Sequence, residues 1–233
     1  YTQWKGRFYP DELPEDDYLG YYSARLRTVE INNTFYRMPK QDVVAKWRAQ
    51  AAQPGFRFVW KASRRISHEA KLRPPEAHDS MAYLWRMAEP LGEQLGPVLI
   101  QTPPYLKKDV GLLREFLTAT VPAGRAVAFE LASSTWDDDQ VDQALADHGC
   151  ARCIADKDDG TARLVRTAAW SYVRLRKDDY ADAELDHWIG ALRGQHRLTN
   201  ALDLFASNGP DELHRLCGLL PCGCNSRLHH IGS

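Results

Sequence analysis

The sequence predicts an α/β fold, a TIM-type (β/α)8 barrel, formed by one domain at residues 1–220. Short runs of β-branched and aromatic residues alternate with longer segments of helical period, as in a parallel sheet covered by helices. The chain has 233 residues, of which 44% are hydrophobic. This length is close to the roughly 250 residues of a single such barrel. Residues 221–233 lack periodicity, so we expect an irregular C-terminal tail there.

The predicted strands are short apolar runs bounded by turn residues. Seven runs qualify, namely TVEIN at 28–32, RFVWKA at 57–62, PVLIQ at 97–101, AVAFEL at 126–131, ARCIAD at 151–156, SYVRL at 171–175 and ALDLFA at 201–206. A closed barrel of this type has eight strands. We therefore expect the first strand to be missing from this chain and to precede Tyr1.

The predicted helices lie between these strands. They span about 17–24, 41–53, 79–95, 108–118, 138–148, 183–192 and 211–220. Pro54-Gly55, Gly96-Pro97 and His148-Gly149 end helices shortly before strands, as expected of turns between a helix and a strand.

Composition excludes several classes of protein. The formal net charge of −1 gives no overall field that would attract nucleic acid or an anionic membrane. No apolar run approaches the roughly 20 residues that a membrane-spanning helix needs, so we expect no membrane partner and a cytoplasmic location. There is no glycine-rich phosphate loop, nucleophile elbow or His-Glu-x-x-His motif. The oligomeric state is left open.

The cysteines do not predict a metal site. Their odd number, five, does not suit a secreted disulfide framework. Cys150 and Cys153 have the spacing of a metal-binding pair, but Cys153 lies inside a predicted strand. Cys217, Cys222, Cys224 and His229 lack the regular paired spacing of zinc ligands.

Polar side chains stand near the end of six consecutive predicted strands. In a parallel barrel these ends meet at one face, where the active sites of this fold lie. We therefore predict a polar pocket whose members are Glu30, Asn32, Lys61, Gln101, Glu130, Asp156 and Arg174. Because burying an unpaired charge costs several kcal/mol, these groups must pair with a ligand or with one another. A mutual network of opposite charges is the alternative to a ligand site.

Three of the residues in and beside this pocket are candidates for catalysis. Glu130 and Asp156 come from neighbouring strands, and two facing carboxylates act as acid and base or hold a divalent cation. His68 follows the Lys61 strand and has a side chain that transfers protons near neutral pH. Its alternative is a solvated loop histidine. Lys61 and Arg174 suit a phosphate or carboxylate group.

Two aromatic residues close to predicted strand ends are candidates for ligand binding. Tyr36 and Trp136 offer ring faces that stack on a sugar or base. The alternative for such rings is packing beneath long loops.

Several ordered motifs resemble one known family. They are WKGRFYP at 4–10, VEINNTFYRMP at 29–39, FVWKASRRISH at 58–68, GPVLIQTPP at 96–104, AFE at 128–130, SSTW at 133–136, CIADKDDG at 153–160 and YVRLR at 172–176. With this order and spacing, the chain resembles the domain-of-unknown-function 72 family, also called YecE-like, over nearly its whole length. The resemblance implies a TIM-type barrel similar to the sugar-isomerase and endonuclease-IV-like barrels. It implies no particular activity.

The chain departs from the family pattern at three places. The family has a strand and a Gly-Thr-Ser-Gly-like turn before the segment that begins here at Tyr1. After Glu130 it often carries Arg-His, whereas this chain has Leu131 and Ala132. Its last strand typically ends in Phe-Asn-Asn or Phe-Lys-His, whereas Phe205 is followed by Ala-Ser-Asn. These differences put the completeness of the pocket in question.

The residues leave three functions open. The first is an enzyme, such as a hydrolase or isomerase, that binds a small phosphorylated or polyhydroxylated ligand in the strand-end pocket. The second is a nucleic-acid-binding or phosphodiester-cleaving protein that uses the basic loop Lys61, Arg64, Arg65, Lys71 and Arg73. The third is a barrel without catalytic activity that serves as a scaffold.

Overall fold

A parallel sheet organises the protein. The structure is a computed structural model that describes residues 4–6, 8–156, 163–175, 180–196, 202–206 and 227–231. Its strands are β1 (Thr28–Ile31), β2 (Arg57–Lys61), β3 (Leu95–Thr102), β4 (Val127–Leu131), β5 (Ala151–Ala155), β6 (Ser171–Leu175), β7 (Leu202–Ala206) and β8 (Arg227–Ile231).

The strands pair in chain order and curl into a barrel. Each strand runs parallel to the next, from β1 beside β2 to β7 beside β8. The pairing of β8 with β1, through Val29 and Glu30, closes the sheet. The architecture is therefore an α/β fold whose strands all end at the same mouth of a barrel.

All seven predicted strands are present, but the closure of the sheet differs from the prediction. On the side away from β2, strand β1 pairs with β8 rather than with a strand preceding Tyr1. Strand β8 lies within residues 221–233, where the sequence predicts an irregular tail. Its sequence, RLHHI, has neither an apolar run nor a strict alternation of apolar and polar residues, so the pattern alone does not predict a strand. The segment is extended because it pairs with a strand on each side.

The two faces of the sheet bury different clusters. Outward-facing side chains such as Phe58, Trp60 and Phe129 pack under the helices. The inward-facing ones form a second apolar cluster, Val59, Leu99, Ala128, Ala151, Cys153 and Tyr172. Burial on both faces explains why these strands are nearly continuous apolar runs. The inner cluster fills the barrel, so polar groups can gather only above it, at the strand ends.

Among the described residues, one helix precedes the first strand and the others lie between strands that follow one another in the chain. They are α1 (Tyr18–Ser23), α2 (Gln41–Gln50), α3 (Glu76–Ala88), α4 (Val110–Thr120), α5 (Asp139–Asp147) and α6 (Asp182–His196). Asp109 and Asp138 cap α4 and α5 by accepting hydrogen bonds from Leu112 N and Gln140 N. In the described part of the chain, no helix has the length and apolar character needed to cross a membrane. The helix predicted at 211–220 lies outside the described residues.

One predicted helix is shorter than its pattern indicates. Residues 79–95 are predicted to form one helix, but α3 ends at Ala88 and a 3-10 segment, Glu89–Gln94, follows. Pro90 lacks the backbone N–H that an α-helical bond requires, and Gly92 leaves helical geometry with φ +55°. The chain therefore turns early and enters β3 at Leu95.

A buried ion pair joins β5 to α5. Arg152 Nε donates to Asp142 Oδ1 at 2.5 Å, and its Nη2 donates to the carbonyl of Trp136 at 2.6 Å. Arg163 adds two bonds to Asp142 Oδ2, at 2.6 and 3.0 Å. Removing one partner of a buried pair leaves the other charge uncompensated, which costs more than breaking an exposed pair.

We expect Asp142→Ala to lower the free energy of unfolding by about 3–5 kcal/mol, because it leaves the buried Arg152 without its main counter-ion. The matched control on the same helix is Asp147→Ala, whose exposed pair with Arg114 (2.7 Å) contributes roughly 0–1 kcal/mol. Urea denaturation of both variants provides the comparison. Equal losses in the two variants would contradict this assignment.

Two glycines provide a second matched test of the fold. Gly149 follows α5 with φ +64°, and a Cβ there would meet nothing within 4 Å, so Gly149→Ala suffers only the backbone cost of about 1–2 kcal/mol. Gly190 lies exposed inside α6 with equally open space, and Gly190→Ala should raise stability by roughly 0.5–1 kcal/mol. Thermal unfolding measures both. Stability changes of the same sign would show that backbone conformation does not govern the two positions.

Candidate functional site

The predicted pocket residues fall into two sets at the mouth of the barrel. Four of them stand two positions after an inward-facing residue of the same strand. Because side chains alternate along a strand, these four also point to the barrel axis; they are Lys61, Gln101, Glu130 and Arg174. The register places Gln101 opposite Glu130 and Ala155 opposite Arg174. The polar residues therefore form a layer directly above the apolar filling.

Glu130 is held by two neighbours. Gln101 Nε2 donates to its Oε1 at 2.9 Å, and Arg174 Nη1 donates to its Oε2 at 2.6 Å. These bonds come from β3 and β6, on either side of β4. Because each carboxylate oxygen has a donor, the orientation of the Glu130 side chain is fixed.

Glu30 occupies the other side of the same arginine. It is fully buried, and it accepts from Arg174 Nη2 at 3.2 Å and from Tyr172 Oη at 2.5 Å. Burial opposes the charged form of Arg174, but the acidic groups around it, Glu30 foremost, together outweigh burial and raise the pKa of the guanidinium. Burial, and then the charge of Glu30, raise the pKa of Tyr172 well above its ordinary value. Tyr172 is therefore a neutral donor at physiological pH.

The structure brings four predicted pocket residues into one hydrogen-bonded network, namely Glu30, Gln101, Glu130 and Arg174. Its charged members form the network of opposite charges that is the alternative to a ligand site. Arg174 bridges two carboxylates, so its predicted role of holding a ligand anion meets competition from both. Arg174 is therefore engaged by two carboxylates of the protein itself.

A cavity of about 160 Å³ opens beside Glu130. Asp156 also lines it, so the two predicted catalytic carboxylates share one cavity. Tyr180 Oη donates to Asp156 Oδ2, and the Asp156 backbone N–H donates to the carbonyl of Arg174 at 3.0 Å. Arg152 and Arg163 line the same cavity.

Lys61 and His68 both lie against Phe35. Lys61 Nζ is 4.7 Å from the centroid of the Phe35 ring, and the His68 ring meets Phe35 edge-on with centroids 5.1 Å apart. His68 belongs to a π-helical turn, Arg65–Glu69, and its Nδ1 is 2.9 Å from Ser67 Oγ. Burial, followed by the charges of Lys61 and Arg64, lowers the pKa of His68. The neutral imidazole is therefore favoured.

The remaining predicted ligand-binding residues are placed differently. Tyr36 is 74% exposed in the loop after β1, and Asn32 is half-buried at the start of that loop. Trp136 is only 1% exposed, and its Nε1 donates to the carbonyl of Leu106 at 2.8 Å. It packs in the core between sheet and helices, which is the alternative that the sequence left open for such rings.

Metal binding has no geometric support among the described residues, where no group of three His, Cys, Asp or Glu side chains is arranged to hold an ion. Cys150 and Cys153 are buried free thiols, and burial raises the pKa of each to about 12. Their thiolate forms are scarce at neutral pH, which disfavours metal ligation. Cys217, Cys222 and Cys224 lie outside the described residues, and of His229 only the strand that contains it is described.

Sequence reasoning missed three contributors to the site. Tyr172 stands two residues before Arg174 on the same face of β6, so strand alternation could have found it. Tyr180 and Arg163 follow strands at a distance in the chain, and no local pattern signals their contacts with Asp156 and Asp142. Only the closed sheet brings them to the mouth.

Known proteins of similar fold share this architecture. A crystal structure of a DUF72 family protein from Thermotoga maritima superposes with a TM-score of 0.75 at 24% identity, covering 88% of each chain. A DUF72 family protein from Enterococcus faecalis superposes with a TM-score of 0.73 at 17% identity, covering 87% of this chain and 92% of the other. At these identities the likeness shows the fold.

Sequence comparison gives the family. The chain is 35% identical to the UPF0759 protein YecE of Escherichia coli K12 over 82 residues, which are 35% of this chain and 29% of YecE. The match thus spans less than a third of that relative. The family model described as "Protein of unknown function DUF72" matches residues 1–214. The resemblance seen in the motifs is thereby confirmed, and the chain belongs to the DUF72 family.

Proposed function

We propose that this protein is an enzyme that binds a small polyhydroxylated or phosphorylated ligand at the strand-end mouth, with Glu130 as its acid–base group. The observation that carries the proposal is the setting of Glu130. Its carboxylate is held by Gln101 and Arg174 on the wall of a cavity that Asp156 also lines. The proposal takes the fold to be a TIM-type (β/α)8 barrel, in which active sites lie at this mouth.

Glu130 suits this role because its orientation is set before a ligand arrives. A side chain fixed by two donors loses little conformational entropy on binding, and such preorganisation favours both affinity and catalysis. Glu130 is 5% exposed, so it has narrow access to the cavity, whereas Glu30 has none. Glu130 is therefore the carboxylate of the network that is placed to meet a ligand.

The carboxylates of the inner cluster suit hydroxyl groups as partners. Carboxylates accept hydrogen bonds from sugar or polyol hydroxyls. Asp156 supplies a second carboxylate on the same cavity, which fits either hydroxyl recognition or proton exchange with Glu130. Gln101, which is half-buried, adds an amide that orients hydroxyl groups.

The test is Glu130→Gln against a panel of monosaccharides, polyols and sugar phosphates. A hydrogen bond to a charged group contributes about 1.5–3 kcal/mol, so a ligand that binds the wild type should bind this variant roughly 10- to 100-fold more weakly. Saturation-transfer NMR measures binding, and proton spectra of the same samples reveal turnover.

Glu115→Gln on the exposed face of α4 is the matched control and should bind as the wild type does. Circular dichroism establishes that both variants are folded. A wild type that binds nothing in the panel would remove the ligand-pocket proposal and favour a scaffold. Unchanged binding by Glu130→Gln would remove Glu130 from the site.

A second candidate function is binding of single-stranded nucleic acid at the rim. It is favoured by two exposed rings, Tyr36 at 74% and Tyr105 at 59%, near the basic turn that contains Arg64 and Arg65. Aromatic rings beside cations are the usual platform for unpaired bases. The Arg64–Glu69 salt bridge, with Nε and Oε1 3.1 Å apart, reduces the local positive charge and weighs against this candidate.

Substitution of the exposed rings tests the second candidate. Stacking contributes about 1–3 kcal/mol per base, so Tyr36→Ser and Tyr105→Ser should each weaken binding of a fluorescent single-stranded oligonucleotide roughly 5- to 150-fold. Fluorescence anisotropy measures this, and added salt should also reduce affinity. Tyr83→Ser on α3, where the ring is 42% exposed, is the control. Absence of binding at low salt would eliminate this function.

A further inference from the structure

We propose that the N-terminal end of the barrel carries a second binding site, for a ligand that combines a phosphate group with a flat ring, as a mononucleotide does. The site is a cavity of about 630 Å³ at the start of β2, β3, β4 and β6. Arg57 and Arg125 on its wall would bind the phosphate, and Trp170 would bind the ring. The inference goes beyond the proposed function, because β4 separates Ala126 on this wall from Glu130 by roughly 13 Å.

An irregularity in the pairing of β2 with β3 shapes this cavity. Two steps along β2, from Phe58 to Trp60, correspond to three steps along β3. The extra residue lies in the segment of β3 that contains Gly96, on the cavity wall. A Cβ on Gly96 would lie 3.1 Å from the carbonyl oxygen of Phe58, so the two strands approach closely where glycine stands. Bulges of this kind are frequent at barrel rims and next to binding sites.

An inward-facing arginine without an ion pair is the observation that carries the proposal. Arg57 stands two positions before inward-facing Val59, so it also points to the barrel axis, and it is half-buried. At the other end of the barrel Arg174 holds two carboxylates, whereas Arg57 has no ion pair or side-chain hydrogen bond among the residues that the structure describes. A partly buried charge without a partner is costly unless water or a ligand solvates it. The donors of Arg57 are therefore available to a bound anion.

A second arginine strengthens the positive character of the wall. Arg125 is exposed just before β4 and, within the described part of the chain, it too forms no ion pair. Glu93 is the acidic residue among the described members of the wall, and neither arginine is paired with it. Guanidinium groups suit phosphate because each donates two parallel hydrogen bonds to its oxygens. Two arginines against one carboxylate therefore favour an anionic ligand.

The ring of Trp170 favours an organic ligand over a bare anion. Trp170 is half-buried, because it packs against the inner apolar cluster and also lines the cavity. Leu95, Pro97 and Ala126 extend the apolar part of the wall. The volume of about 630 Å³ is typical of small-molecule pockets and is larger than a free phosphate needs. A flat ring against the indole, with its phosphate at the arginines, uses both parts of the wall.

The experiment follows the indole N–H signal of Trp170 by NMR during titration with adenosine monophosphate. Trp170→Phe identifies this signal among those of the seven tryptophans. Adenosine lacks the phosphate and inorganic phosphate lacks the ring, so each should bind about 10-fold or more weakly than adenosine monophosphate. Arg57→Gln should weaken binding of the nucleotide roughly 10- to 100-fold, because a hydrogen bond between charged groups is lost.

Glu93→Gln provides a test of the opposite sign. It removes the acidic group of the described wall, so it should strengthen binding of adenosine monophosphate by up to roughly fivefold, as expected for an exposed charge near the ligand. Arg65→Gln removes an exposed arginine beyond the other end of β2 and is the matched control, which should bind as the wild type does. Glu130→Gln should also bind normally, which separates this inference from the proposed function.

Three results would overturn the site. They are an unchanged Trp170 signal with adenosine monophosphate, equal affinity for adenosine or for inorganic phosphate, and equal losses of affinity in Arg57→Gln and Arg65→Gln. Should Trp170→Phe fail to fold, broadening of the nucleotide 31P signal by the wild type but not by Arg57→Gln would support the site, and equal broadening by both would overturn it.

Discussion

The Arg174 guanidinium between Glu30 and Glu130 is the interaction on which the polar mouth depends. Two carboxylates from β1 and β4 approach one another inside the barrel, and only the cation from β6 makes this arrangement favourable. Tyr172 and Gln101 then satisfy further acceptors of the two carboxylates. The bonds that neutralise the buried charges also fix Glu130 on the edge of the cavity. A network of paired charges and a ligand site can therefore use the same residues.

The cavity beside this network has charges of both signs on its wall. Glu130, Asp137 and Asp156 supply the acidic groups, and Arg152 and Arg163 supply the basic ones. Membership of the DUF72 family provides the fold and no activity, so the case for function depends on these local charges rather than on the barrel.

The strands were predictable because parallel strands buried on both faces must be apolar along their whole length. Strand β8 was not predictable, because the sequence of Arg227–Ile231 is polar. It also lies beyond residues 1–214, which the family model matches. The end of α3 was predicted too late because helical period continues past Ala88, although Pro90 and Gly92 cannot continue an α-helix. Periodicity reports burial, and backbone geometry decides where an element ends.

By itself the sequence determined the α/β class, the seven strands from β1 to β7 and the polar residues near the ends of six of them, because these depend on short apolar runs and on the residues that end them. It also placed Glu130 and Asp156 on neighbouring strands. Only the tertiary structure decided which charges pair, since the contact between Arg174 and Glu30 joins residues 144 positions apart in the chain.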